Sequence, residues 1–349
     1  MEHVRIGNHV LGGDAPFVIA EVGVNHDGDV GKAHELIDVA ADAGASSVKF
    51  QTFEPSALVA VDASAAPYQE AATGSTTQAE MLEALSLPRA AWAELSDHAR
   101  EKGLVFLSTP FDLASADLLL GLGVPALKVP SGELTNTPFI SRLAAFGVPL
   151  LISTGMGSVD EVAAALDAAA AAPGLALFHC VSAYPAPAED CNLRAIPAMA
   201  EQFDVPVGWS DHTPGLTAAV AAAALGATLF EKHFTLDRTA PGPDHAASLE
   251  PAELAAYVTA ISDSIAMLGD GHKRRMPSEE ENAPLVRRGW HAARDLAVGD
   301  VLGEDDILAL RPESGVSVAV DVRGAVVTRA VRAGAALDAE SISSAGRAG

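Results

Sequence analysis

The fold is decided by Gly-Trp-Ser-Asp-His-Thr-Pro-Gly at 208–215 and Glu-Lys-His-Phe-Thr at 231–235. Each His follows a short apolar run that reads as a β-strand, 205–209 and 227–230. Between them, 216–226 is Ala-rich, long enough for a helix, and ends in the Gly that helix C-termini favour. Strand, helix, strand predicts a βαβ unit with parallel strands whose C-terminal ends share one side. His212 and His233, 21 residues apart, then lie at one sheet edge, close enough to share a ligand. Two neutral imidazoles with open positions around them fit a catalytic metal site. A pair of hydrogen-bonded rim histidines is the plainer alternative.

The same unit repeats outward in both directions. Apolar runs at 17–23, 47–51, 104–109, 126–130, 149–154, 175–181, 205–209 and 227–234 predict strands. Helical patterns follow at 30–43, 88–102, 112–122, 136–146, 158–172, 192–203, 215–225 and 250–268. Eight such units predict an α/β fold, a (β/α)8 TIM barrel. An open doubly wound sheet is the runner-up, but no Gly-rich phosphate turn follows the first strand. Ahead of the barrel, 3–16 reads as a hairpin turning at Gly12-Gly13.

Polar residues at the strand ends strengthen the barrel. They are Glu21; Lys49 and Gln51; Thr109; Lys128 and Ser131; Ser153 and Thr154; His179 and Ser182; Ser210 and His212; Lys232 and His233. Charges inside apolar strands are expensive unless paired, and here they recur where barrel active sites assemble. Three longer loops interrupt the pattern: 52–87 with Tyr68-Gln69, 182–191 with Ser-Ala-Tyr-Pro-Ala-Pro, and 236–249 with Gly-Pro-Asp-His. Loops on the catalytic face are where substrate choice usually resides.

In 349 residues 49% are apolar and the formal charge is −24. That charge argues against nucleic acid or an anionic membrane surface as partner. With no apolar run near membrane length, no basic-then-apolar leader and only Cys180 and Cys191, the chain reads as cytoplasmic. The barrel is expected over 1–269, a Gly/Pro-bearing linker over 270–285, and a small β-rich domain over 286–349. That last part carries an internal echo: Gly299, Leu302 and Ile307 recur as Gly334, Leu337 and Ile342. Two such strand–turn units predict a small pseudo-symmetric module that leans on a partner surface.

At the barrel mouth Lys49 and Lys128 face a common space with Thr109, Ser131, Ser153 and Ser210. Two ammonium groups among hydroxyls suit a phosphate or a carboxylate. A Schiff-base lysine, or lysines paired structurally with Glu21 or Glu133, are the alternatives. Glu21 is placed to move a proton or to neutralise a lysine.

Several motifs together resemble the sialic acid synthase family. They are Ile-Ala-Glu-Val-Gly-Val-Asn-His-Asp-Gly (19–28), Val-Lys-Phe-Gln-Thr (48–52), Leu-Ser-Thr-Pro-Phe-Asp (107–112) and Lys-Val-Pro-Ser-Gly-Glu-Leu-Thr-Asn (128–136). Ile-Ser-Thr-Gly-Met (152–156), Gly-Trp-Ser-Asp-His-Thr (208–213), Glu-Lys-His-Phe-Thr (231–235) and Gly-Pro-Asp-His-Ala-Ala-Ser-Leu-Glu-Pro (242–251) continue the series. The tail, with Arg-Arg-Gly-Trp-His-Ala at 287–292, is similar to the antifreeze-like (SAF) module of these synthases.

The resemblance implies a transferase that condenses phosphoenolpyruvate with an open-chain 2-acetamido sugar aldehyde and releases phosphate. It implies Lys49, Thr109, Lys128, Ser131, Ser153, Ser182 and Ser210 around phosphoenolpyruvate, and Gln51, Glu133, Tyr184 and Asp244 on the sugar. Glu21, His212 and His233 would be catalytic. The two histidines would hold a divalent metal, Mn²⁺ in the family, with Mg²⁺ or Co²⁺ as alternatives. It also implies a domain-swapped homodimer in which Arg311 reaches the other subunit's site. This chain departs from the family pattern at Glu313, where Gly is usual, and at Ser182, where neuraminate synthases carry Asn. The acceptor is then N-acetylmannosamine, its 6-phosphate, or a diacetamido sugar of the legionaminic or pseudaminic type. A Schiff-base aldolase of the same fold and a non-catalytic sugar binder are the remaining readings.

Overall fold

Eight short strands rich in branched apolar residues pair in parallel, and each hands the chain to a helix that returns it to the start of the next. The computed structural model describes residues 4–60, 63–64 and 74–343, so Tyr68 and Gln69 lie outside the described residues. The strands are β3 (Phe17–Gly23), β4 (Ser47–Thr52), β5 (Val105–Pro110), β6 (Leu127–Val129), β7 (Leu150–Ser153), β8 (Leu175–Cys180), β9 (Val207–Asp211) and β10 (Leu229–His233). Their order is β5-β4-β3-β10-β9-β8-β7-β6, all parallel. The end strands β5 and β6 lie side by side, which rolls the sheet into the (β/α)8 barrel expected from the eight repeats. Local chemistry sets the helix ends. Ser158 and Glu161 form a capping box on Val159–Ala168, and Gly226, at φ 98, takes the left-handed turn into β10.

Strand parity divides each strand between two cores. Val18, Ala20, Val48, Phe50, Leu127, Ile152, Trp209 and Phe230 face the helices in the larger cluster. Phe17, Ile19, Leu107, Leu151, Ala176, Phe178 and Leu229 fill the barrel's interior. Both faces are buried, so the strands read as continuous apolar runs rather than alternating ones. Gly208 is inward on β9, and a Cβ there would meet Leu229 Cβ and its carbonyl oxygen at 2.5 Å. A side chain at this position would force β9 and β10 apart.

The hairpin of β1 (Val4–Ile6) and β2 (His9–Leu11) turns at Gly7-Asn8, since Ile6 pairs with His9. The expected turn at Gly12-Gly13 is therefore displaced. Gly7 has φ 58, the first-position geometry a two-residue hairpin assigns to Gly, whereas Gly12-Gly13 leads out toward β3. Val4, Ile6 and Leu11 join the interior cluster, so the hairpin plugs the barrel end remote from the loops.

The chain forms two compact units, 1–269 and 270–349. Residues expected as a bare linker, 270–285, carry a short 3-10 turn (Pro277–Glu279) and the start of the helix Asn282–Val286. In the second unit β11 (Gly289–Ala292) pairs antiparallel with β12 (Ile307–Leu310). The echoed positions Leu302, Ile307, Leu337 and Ile342 meet in one small core. Leu296 bridges Val331, the residue at the same offset of 35, so the repeat is a real structural duplication. Trp290 packs on this core while its indole N–H donates to the Val320 carbonyl at 2.7 Å.

Candidate active site

Inward-pointing residues at the C-terminal ends of β3–β10, with the loops that follow, enclose a cavity of about 560 Å³. Glu21, Lys49, Gln51, Thr109, Lys128, Ser131, Ser153, Ser182, Tyr184, Ser210, His212 and His233 all line it. Twelve residues from eight separate stretches of chain converge because each sits at or just beyond an inward position near its strand end. Glu133 does not line the cavity; its carboxylate accepts from Asn136 at 2.6 Å. Asp244 stands beside it, 3.8 Å from His233 Nδ1. Arg311 belongs to the second unit and is exposed.

Three of the expected strand-end residues do not line the cavity; Thr154 Oγ1 donates to the Phe178 carbonyl at 3.0 Å. His179 points into the helix layer, where its Nε2 bonds the Cys191 carbonyl at 2.8 Å and its ring packs on Trp209. Lys232 is also turned outward and is fully buried. In its place β10 presents Glu231, a carboxylate missing from the expected set. Glu231 Oε2 lies 3.6 Å from Lys49 Nζ, Oε1 lies 3.8 Å from Lys128 Nζ, and Oε1 accepts from Ser210 Oγ at 3.0 Å. Its signal was present in the alternation of Glu231-Lys232-His233: if His233 faces inward, so does Glu231 and not Lys232.

The charges form a compact group. Lys49 Nζ pairs with Glu21 Oε2 at 2.8 Å and donates to Thr109 Oγ1 at 2.9 Å. Lys128 donates to Ser153 and lies over the Phe178 ring, 5.3 Å from its centroid. Burial pushes the Glu21 carboxyl up to about 7 against the pull of Lys49, and neighbouring Glu231 pushes it further. Burial opposes the charge of Glu231 too, but Lys128 and Lys49 outweigh it and hold that carboxyl low. Desolvation lowers Lys128, partly offset by Glu231. Lys49 and Lys128 face the carboxyl groups of Glu21 and Glu231, and protonation of Glu21 leaves two ammonium groups against one carboxylate under the hydroxyls.

A hydroxyl cup adjoins this floor. Gly155 N–H donates to Ser131 Oγ at 3.0 Å, and Ser131 Oγ lies 3.1 Å from Cys180 Sγ. A Cβ on Gly155 would stand 2.4 Å from Ser182 Oγ and 2.8 Å from both Ser131 Oγ and Cys180 Sγ. These groups converge on a spot that only glycine leaves open.

In the same lining the imidazole centroids of His212 and His233 are 5.8 Å apart, with the Tyr184 ring 4.2 Å from that of His212. His212 Nδ1 donates to the Val181 carbonyl at 2.7 Å, which fixes the tautomer and leaves the Nε2 lone pair free. His233 Nδ1 is buried with no hydrogen bond among the described residues. Burial drives both rings below the usual imidazole range, and His212 and Lys49 press His233 lower still. Two neutral imidazoles with unused lone pairs suit a divalent cation. No group of three His, Cys, Asp or Glu gathers around such an ion among the described residues, so two imidazoles would leave most of its coordination to substrate and water.

The described helices include none long and apolar enough to cross a membrane. The NeuB family model matches residues 36–273. The chain is 44% identical to the N,N'-diacetyllegionaminic acid synthase of Legionella pneumophila over 308 residues, covering 86% of each protein. It is 42% identical to the enzyme of that name from Campylobacter jejuni over 306 residues, covering 86% of this chain and 92% of the relative. A solved N-acetylneuraminic acid synthetase from Leptospira borgpetersenii, in complex with citrate, superposes with a TM-score of 0.72 at 33% identity, over 80% of this chain and 95% of that one. With the family model matching over two thirds of its length and relatives at 42–44% identity, the chain belongs to the NeuB family of sialic acid synthases and is an enzyme.

Proposed function

We propose that the enzyme condenses phosphoenolpyruvate with an open-chain diacetamido-trideoxy sugar aldehyde to make a nonulosonic acid. The observation that carries it is the pairing of a positive, hydroxyl-lined cup with a His212–His233 wall inside one cavity. Phosphoenolpyruvate is a small trianion, and Lys49 and Lys128 with Thr109, Ser131, Ser153, Ser182 and Ser210 supply the donors it needs. The two relatives named as diacetyllegionaminic acid synthases, and Ser182 in place of Asn, favour the diacetamido acceptor over N-acetylmannosamine.

C3 of phosphoenolpyruvate forms the new bond to the aldehyde carbon. Water then adds at C2, and phosphate departs with cleavage of its C2–O bond. Glu21, its carboxyl raised to about 7 by burial, donates a proton to the aldehyde-derived oxygen from its protonated form. Glu231 keeps the two lysines apart at fixed positions. A divalent metal, Mn²⁺ first and Mg²⁺ or Co²⁺ as alternatives, would be held by His212 and His233 and would polarise the aldehyde. Gln51, Tyr184 and Asp244 would orient the acceptor from the rim, with Glu133 approaching from its 3-10 turn. The second unit is assigned as the antifreeze-like module of a cytoplasmic, domain-swapped homodimer, with Arg311 serving the other subunit's site.

The test is phosphate release from phosphoenolpyruvate in ¹⁸O water with N-acetylmannosamine, its 6-phosphate and diacetamido-trideoxy sugars offered in turn. Turnover with a diacetamido sugar alone, label in the product and unlabelled phosphate are expected. Sugar-independent phosphate release, or labelled phosphate, would sink the mechanism.

A further inference from the structure

Behind the histidine wall lies a buried polar group that the chemistry does not use. Asp211 and Lys232 immediately precede His212 and His233 in the chain and are register partners across β9 and β10. Both side chains point away from the cavity and are completely buried. Lys232 Nζ lies 3.4 Å from Asp211 Oδ1 and donates to the Thr213 carbonyl. Asp211 Oδ1 in turn accepts from Thr213 N at 2.8 Å and Thr213 Oγ1 at 2.7 Å. The Lys232 ammonium lies over the Tyr257 ring, 5.8 Å from its centroid.

Other outward positions on these strands are apolar, Trp209 and Phe230 among them. An apolar pair would also suit 211 and 232, because a buried ion pair seldom stabilises more than well-packed hydrocarbon. What the charges add is directional. Lys232, on one strand, grips the backbone immediately after His212 on the other, and Asp211 closes the turn at Thr213. The two residues carrying the imidazoles are thereby locked to a single spacing and rotation.

We infer that the Asp211–Lys232 pair is a positioning device that sets the separation of His212 and His233, and so the affinity of the site for a divalent cation. This rests on the metal role proposed for those histidines. Groups that hydrogen-bond metal ligands directly change metal affinity about 10–100-fold when removed; this pair acts one step further out, through the backbone that carries the imidazoles.

The test is Mn²⁺ titration of the full chain by electron paramagnetic resonance, with phosphoenolpyruvate binding measured by calorimetry in chelator. The variant Lys232→Met/Asp211→Asn removes both charges at nearly constant volume. Its circular dichroism, melting temperature and phosphoenolpyruvate affinity should match the parent, while Mn²⁺ affinity falls at least about tenfold. The visible spectrum of bound Co²⁺ should shift as well, a change that a purely structural role would not produce. If the double variant fails to fold, Lys232→Gln/Asp211→Asn, which removes both charges but keeps a donor toward the Thr213 carbonyl, should show a smaller loss of the same sign. A folded variant binding Mn²⁺ within twofold of the parent would overturn the positioning role and leave the metal reading intact. A parent protein that binds no Mn²⁺ would overturn both.

Discussion

Gly155→Ala is the sharpest perturbation of the hydroxyl cup, because the added atom has nowhere to go. Its Cβ would lie 2.4 Å from Ser182 Oγ and 2.8 Å from Ser131 Oγ and Cys180 Sγ, all inside van der Waals contact. Overpacking of this kind costs about 1–3 kcal/mol, or about 2–4 °C in melting temperature per kcal/mol for a domain of this size. Relief must come from rotating a hydroxyl away or shifting the backbone N–H that now donates to Ser131. A hydrogen bond to a charged group contributes about 1.5–3 kcal/mol, so displacing one donor should raise KM for phosphoenolpyruvate about 10–100-fold. KM for the acceptor should change less, since of the groups the added Cβ meets only Ser182 bears on the acceptor. The assay is steady-state phosphate release with each substrate varied in turn, with Gly121→Ala as control because a Cβ there meets nothing within 4 Å. An unchanged KM for phosphoenolpyruvate in a folded Gly155→Ala protein would refute the placing of the anion in this cup.

Glu21, with its carboxyl raised to about 7, is protonated below that pH and acts as a donor there, so kcat/KM should fall as pH rises through about 7 and Glu21→Gln should abolish that limb along with most of the rate. His212→Ala should lose turnover at least about a hundredfold, and the parent should lose it to a chelator and regain it with Mn²⁺; chelator-resistant, undiminished turnover in the variant would remove the metal from the mechanism. Gly208→Ala should destabilise the protein by about 1–3 kcal/mol in chemical denaturation, because its Cβ meets Leu229 at 2.5 Å, and a neutral result would show that β9 and β10 can part without cost. Borohydride with pyruvate should leave Lys49 and Lys128 unlabelled by mass spectrometry, whereas stoichiometric labelling would favour a Schiff base.

The strands, their order and the catalytic edge were legible because each βα unit states its own beginning and end: an apolar run, a cap, a helix-stopping glycine. Strand identity alone brought Lys49, Lys128, Thr109 and His212 to one mouth, since parallel strands must end on the same side. What the chain does not state locally is which way a strand-end residue faces. In a barrel both faces of the sheet are buried, so hydrophobicity does not alternate and gives no parity. Lys232 and His179 were for that reason grouped with the mouth, while Glu231 went unassigned. The register of β10 against β9 and β3 decides it, turning Glu231 onto the lysines and Lys232 onto Asp211. The same holds for the hairpin, where the sequence pointed to Gly12-Gly13 and the pairing of Ile6 with His9 puts the turn at Gly7-Asn8 instead. Sequence thus determined the repeating unit and the edge where chemistry gathers. Only the closed sheet, with its fixed stagger and two buried faces, decided which charges meet there.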